Sequence, residues 1–190
     1  MIIALIALPV VDVITTKNFN IKRLLISIAG LIYISFSCGC MMDLRSEGMI
    51  FGNLFGIDLG LVLPLLIIFT NWINDTMAYI VGSLIGKTPF SSISPKKTWQ
   101  GTIGGVILAV ATITICGYLL LKADIMQLII ISAITCIAGI AGDLLESKLK
   151  RMAGVKDSGS IMPGHGGFLD RFDSMLISTI FVWLYVKLFV

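Results

Sequence analysis

Six long apolar runs divide the chain, and short polar stretches separate them: Met1 to Thr16, Ile21 to Met42, Gly60 to Gly82, Gly101 to Leu121, Ile125 to Ala141 and Ser174 to Val190. A helix crossing a bilayer needs about 20 mainly apolar residues, so each run is predicted to span. The first, fifth and sixth are short and gain length from flanking polar residues held at depth inside the protein. The expected fold is all-α, a polytopic transmembrane helical bundle of about six spanning helices forming one integral membrane domain over residues 1–190. No Lys or Arg precedes the first run, as the basic start of a secretory signal requires, so it reads as a retained membrane segment.

Composition strengthens this reading. Hydrophobic residues make up 57% of the chain and charged residues 13%, against about 25% charged in soluble domains. With a mean hydropathy of +1.00, the chain cannot cover its surface with polar side chains. Six spans sort the loops into two sets. One holds Lys17, Lys22, Arg23, Lys87, Lys96, Lys97, Lys148, Lys150, Arg151, Lys156 and Arg171; the other holds Arg45, Lys122 and Lys187. Cytoplasmic loops carry the excess of Lys and Arg, which places the first set in the cytoplasm. The net charge is only +3, and no nucleic-acid partner is expected. Cys38, Cys40, Cys116 and Cys136 lie in apolar stretches without zinc-site spacing and read as packing residues.

Chemistry concentrates in three places. Asn71, Asn74, Asp75 and Thr76 sit deep in the third run, where an ionisable group is costly and marks a polar cavity or a functional site; a hydrogen-bonded cluster between helices is the alternative. The loop after it carries Ser94, Lys96, Lys97 and Thr98. Its ammonium and hydroxyl groups suit a polyphosphate, or equally a basic patch on anionic lipid headgroups. Its spacing is not that of a Walker A loop.

The third place is the stretch from Ser147 to Asp173. If the fifth helix continues past Gly142, then Asp143, Glu146 and Lys150 share one face. Beyond Ser147, Lys150, Arg151 and Lys156, a glycine-rich segment surrounds His165, the only histidine, and Asp170, Arg171 and Asp173 open the sixth helix. Magnesium is typically held by one or two carboxylates together with phosphate oxygens, and Asp143, Asp170 and Asp173 supply such groups. Helix capping by Asp170 and Asp173 is the alternative. The glycines, the histidine and the basic cluster beside them exceed what a cap needs.

The run from Ser147 through Pro163-Gly164-His165-Gly166-Gly167 to Asp170-Arg171-Phe172-Asp173 resembles the signature of the phosphatidate cytidylyltransferases, or CDP-diglyceride synthetases. Asp75-Thr-Met-Ala-Tyr79 and Ser94-Pro-Lys-Lys-Thr-Trp-Gln-Gly101 resemble two further blocks of that family, in family order, so the catalytic blocks fall within residues 71–173. The resemblance implies a bacterial-type inner-membrane enzyme that joins CTP to phosphatidic acid, releasing pyrophosphate and CDP-diacylglycerol, with its site facing the cytoplasm. It implies Mg2+ at Asp143 and Asp170, with K+ as a candidate second cation, and it allows a homodimer.

On this reading the catalytic group is Asp143, Lys150, Asp170 and Asp173, the metal ligands being the three aspartates. The substrate phosphates meet Asp75, Ser94, Lys96, Lys97, Thr98, Ser147, Arg151, Lys156, His165 and Arg171. The sequence departs from the family pattern at Met77, Ser83, Gln100 and Met162, where glycine, arginine, glutamate and a branched or aromatic residue are common. It is also short beside longer members and is expected to lack their first spans. Three other readings stay open: a CTP-dependent enzyme acting on another lipid phosphate, an inactive relative, and a transporter or scaffold.

Overall fold

A computed structural model describes residues 21–51, 59–91, 93–155, 158–159, 167 and 169–190. These form helices α1 (Ile21–Phe51), α2 (Leu59–Ile85), α3 (Trp99–Leu121), α4 (Ile125–Met152) and α5 (Asp173–Phe189), with a short 3-10 turn at Leu169–Arg171 just before α5. Five of the six expected runs coincide with these helices. The first, Met1 to Thr16, lies outside the described residues. Four helices, α1 to α4, are long and apolar enough to cross a membrane, and α5 adds 17 residues.

Local chemistry sets the boundaries. Thr98 caps α3 by accepting the Gly101 N–H at 3.2 Å, and Asp124 caps α4 by accepting the Gln127 N–H at 3.0 Å, the expected use of short oxygen-bearing side chains. Between the two helices, Lys122 takes the left-handed conformation (φ 53°) and closes α3. The fourth helix runs eleven residues beyond the apolar stretch expected to span, because Leu, Glu, Lys and Arg after Gly142 are good helix formers. It therefore carries Asp143, Glu146 and Lys150 on one continuous element.

The helices pack mainly as two pairs, α2 with α3 and α4 with α5, and α1 lies against α2 and α5. Leu44, Ile67, Ile113, Leu128, Ile131, Val182 and Val186 form the buried apolar core. Large apolar side chains such as Ile26, Phe36, Ile107 and Leu120 face outward, as a surface solvated by lipid requires. The chain is an integral membrane protein. Three buried hydroxyls are satisfied within their own helices: Thr70, Ser132 and Thr135 donate to the carbonyls of Leu66, Leu128 and Ile131 at 2.6, 2.6 and 2.7 Å. Lipid offers no such partner, so these internal bonds are the stable solution.

One glycine fixes the geometry that matters most. A Cβ at Gly142 would stand 2.7 Å from the Asp173 carbonyl oxygen. Only glycine lets α4 and the start of α5 approach this closely, and the approach brings the residues after Gly142 beside Asp173.

Candidate active site

At the end of the bundle where α4 meets the start of α5, a cavity of about 490 Å³ opens between α2, α3, α4 and the loop joining α2 to α3. Its wall includes Asp75, Asp143, Asp170 and Asp173 together with Ser94, Lys96, Lys97 and Thr98. The structure thus gathers residues from all three chemical stretches of the sequence around one space.

The polar positions of α2 divide between the two roles weighed for them. Asn71 is structural: its amide donates to the Ile67 carbonyl and to Ser178 Oγ, each at 3.0 Å, tying α2 to α5. Thr76 turns back to the Trp72 carbonyl at 2.8 Å. Asn74 and Asp75 line the cavity, and the Asn74 carbonyl oxygen, on a residue only 3% exposed, has no hydrogen-bond partner.

Two lysines meet two of the carboxylates. Lys97 Nζ contacts Asp143 Oδ2 directly. Burial pushes the Lys97 ammonium below its ordinary pKa, and the negative charges of Asp75 and Asp173 only partly offset that. Lys150 does not line the cavity but holds Asp170 from behind, its Nζ 2.7 Å from Asp170 Oδ1 and 3.4 Å from Glu146 Oε2. The other oxygen of Asp170 accepts the N–H groups of Ser158 at 2.9 Å and Gly167 at 2.7 Å. Burial raises the Asp170 pKa, yet the hydrogen bonds from Lys150, Ser158 and Gly167 outweigh it and hold the carboxyl well below the usual range. Ser158 and Gly167 approach so closely that a Cβ at Gly167 would sit 2.2 Å from Ser158 Oγ. Asp170 therefore fastens both arms of the glycine-rich loop at its neck.

Ser147, Arg151 and Arg171 fall outside the cavity wall. Ser147 Oγ donates to Asp143 Oδ1 at 3.4 Å, supporting that carboxylate from the next turn of α4. Arg151 is exposed and donates to the Val155 carbonyl at 3.3 Å, finishing the C-terminal end of α4 instead of pointing to the site. Arg171 lies exposed on the 3-10 turn. Thr98 reaches the wall, but its hydroxyl is engaged as the α3 cap. Lys156 and His165 lie outside the described residues.

Glu146 is absent from the expected substrate and metal groups, yet it belongs to this region. It is 7% exposed, its carboxylate meets Lys150 Nζ at 3.4 Å, and it stands beside both Asp170 and Asp173. Its place on the Asp143–Lys150 face was readable from spacing; what hid its importance is that the neighbouring carboxylates come from a different helix.

The donor set suits a magnesium ion. The groups are oxygen-only, and Asp143, Asp170 and Asp173 reach one cavity. Among the described residues no three acidic, cysteine or histidine groups converge on one point, so the protein offers fewer ligands than a closed cage. Magnesium commonly takes one or two carboxylates and completes its shell with phosphate oxygens and water. Positive charge, from Lys97 and Lys150, already stands against Asp143 and Asp170.

Known proteins resemble this chain over most of its length. The profile described as "Cytidylyltransferase family" matches residues 1–189. A protein named phosphatidate cytidylyltransferase from Helicobacter pylori strain J99 is 42% identical over 135 residues, covering 70% of this chain and 51% of the relative. One of the same name from Bacillus subtilis strain 168 is 43% identical over 120 residues, 62% of this chain and 45% of the relative. The chloroplastic phosphatidate cytidylyltransferase 4 of Arabidopsis thaliana is 44% identical over 115 residues, 60% of this chain and 29% of the relative. The matches thus span about half or less of these relatives.

Proposed function

The chain belongs to the cytidylyltransferase family, and from that premise we propose that it is a phosphatidate cytidylyltransferase, forming CDP-diacylglycerol and pyrophosphate from CTP and phosphatidic acid. The observation that carries this reading is the single cavity that joins four aspartates to Lys96 and Lys97 at one end of a membrane-embedded bundle. The excess of Lys and Arg in the loops at that end supports a cytoplasmic position for it, at the inner membrane of a bacterial-type cell, where CTP is available. The lipid phosphate enters while its acyl chains remain in the bilayer.

In the reaction, a phosphate oxygen of phosphatidic acid forms a bond to the α-phosphorus of CTP. The bond from that phosphorus to the bridging oxygen of the β-phosphate breaks, and pyrophosphate leaves with the electron pair. The attacking oxygen is already ionised near neutral pH, so the site needs no strong base. Its task is to hold two anionic groups together, and positioning with electrostatic stabilisation supplies most of such catalysis. Lys96 and Lys97 meet the phosphates from the α2–α3 loop. Lys150 fixes Asp170, and Asp170 fixes the neck of the glycine-rich loop. Asp143, Asp170 and Asp173 would offer Mg2+ one or two carboxylates, with phosphate oxygens completing its shell, and the ion would supply charge neutralisation on those oxygens when bound.

The purified chain, incubated with CTP, Mg2+ and phosphatidic acid in mixed micelles, should yield CDP-diacylglycerol and pyrophosphate. Asp170→Ala and Asp173→Ala should yield neither. Full activity in either variant, or product only with a different lipid phosphate, sinks the proposal.

A further inference from the structure

We propose that Gln100 is a positioning residue: its side-chain amide clamps the α2–α3 loop so that Lys97 is delivered to Asp143. This deepens the functional reading above and rests on it only for the identity of the substrate.

The clamp is built from three consecutive residues at the start of α3, each gripping the loop differently. Thr98 pairs with Pro89 across the loop. Trp99 donates its N–H to the Thr88 carbonyl at 3.0 Å and sets its ring edge-on to Phe90, centroids 4.6 Å apart. The Gln100 side chain then engages the outgoing arm at three points. Its Oε1 accepts the N–H groups of Lys87 and Thr88 at 3.2 and 3.3 Å, and its Nε2 donates to Thr88 Oγ1 at 2.7 Å.

Fixing the outgoing arm fixes the return arm. The Phe90 N–H donates to the Lys97 carbonyl at 2.7 Å, and the Lys97 N–H donates to the Ser94 carbonyl at 3.1 Å. Lys96 and Lys97 therefore lie in a turn tied on one side to the arm that Gln100 holds and on the other to the Thr98 cap of α3. A lysine has four rotatable side-chain bonds and does not find one carboxylate unaided. The backbone under Lys97 must be placed for its ammonium to reach Asp143. A glutamine suits this clamp because it both accepts and donates. A glutamate would suit it too, accepting the same two N–H groups and the Thr88 hydroxyl proton.

The test reads lysine placement without substrate. A carbodiimide joins an amine to a carboxylate that it touches, so Lys97–Asp143 coupling in the full detergent-solubilised chain, mapped by mass spectrometry, reports the clamp. Lys150–Asp170 coupling in the same molecules reports the rest of the site. Gln100→Ala should lower Lys97–Asp143 coupling about tenfold, the scale of one or two lost hydrogen bonds, and leave Lys150–Asp170 coupling unchanged. Hydrogen exchange at the Lys87 and Thr88 amides should quicken. Gln100→Glu should restore both signals.

Unchanged Lys97–Asp143 coupling in Gln100→Ala overturns the proposal. An equal fall of both couplings also overturns it, because that is a general structural role, and so does failure of Gln100→Glu to rescue. If the coupling follows the prediction while the wild-type chain turns over no CTP with phosphatidic acid, the functional reading fails and the clamp stands.

Discussion

The two ends of the helical bundle use the same residue types to opposite effect. At the end remote from the cavity, Asp43 on α1 accepts the Trp183 indole N–H at 2.7 Å and pairs with Lys187 at 3.0 Å. Tyr185 donates its hydroxyl to Gln127 at 2.8 Å, and the Gln127 N–H in turn meets Asp124. Asp43 and Asp124 each have their donors, and the arrangement binds α1, α4 and α5 together. At the cavity end, four aspartates and Glu146 gather around two engaged lysines, and the Asn74 carbonyl lacks a hydrogen bond. A charge balanced by its own neighbours is structure. A surplus of acceptors around an open cavity is capacity to bind something positively charged or rich in donors.

That contrast breaks if acidic residues at both ends respond alike to substitution. The largest effect belongs to Asp143, which lies on the cavity wall and takes Lys97. Asp143→Ala should reduce CDP-diacylglycerol formation on the order of a thousandfold, the scale of losing a key electrostatic group in an active site. Initial rates measured per folded protein decide it, and a loss under tenfold would remove Asp143 from the centre of the site. Next comes Lys97→Met, which keeps the length of the side chain and removes its charge. A fall on the order of a hundredfold in kcat/KM for CTP is expected, and an unchanged value would leave the Lys97–Asp143 pair as a mere structural tie.

Much of this contrast was legible in sequence, for physical reasons that differ by element. The helices of the middle of the chain declared themselves because lipid demands unbroken apolar runs, and α2 and α3 sit within three residues of their expected bounds. The end of α4 did not, because hydropathy falls at Gly142 while helix propensity does not. Of the residues marked for phosphate or metal, those at Asp75, Ser94, Lys96, Lys97, Thr98, Asp143, Asp170 and Asp173 converge on the cavity. Arg151 does not, since a basic residue near a site is drawn equally to a helix C-terminus, and Arg171 lies exposed on the 3-10 turn. The second role of Asp170, as the staple of the loop neck, depends on backbone N–H groups that no side-chain pattern records. The paired, closed character of the Asp43 end was also invisible: Trp183 lies 140 positions away.

A pH series sharpens the comparison at the level of one residue. The Asp170 carboxyl is held below its usual range by its partners, with burial acting in the opposite sense. A group whose folded pKa is depressed stabilises the fold above its unfolded pKa, about 3.9 for Asp, and loses that contribution as pH falls through the folded value. Protection of the Ser158 and Gly167 amides against hydrogen exchange, corrected for intrinsic rates, should thus persist through mild acid and fail only in stronger acid. Asp170→Asn should show weaker protection without that acid-dependent loss. An identical acid profile in the variant would assign the effect to another carboxylate.

The smallest effect is expected at the opposite end, and it is the one that gives the comparison its meaning. Asp43→Asn retains an oxygen for the Trp183 indole and removes only the charge that faces Lys187. Exposed ion pairs contribute little because water screens them and two long side chains must be held in place. Turnover should stay within about twofold of the wild type, the range of an ordinary surface substitution, and the melting temperature should fall slightly if at all. The loss of one negative charge at Asp143 acts on the wall of an open cavity, against Lys97. If Asp43→Asn instead cost activity on the scale of Asp143→Ala, the two ends would be coupled through α1 and α5. The surplus of acceptors at the cavity would then no longer be enough to locate the chemistry.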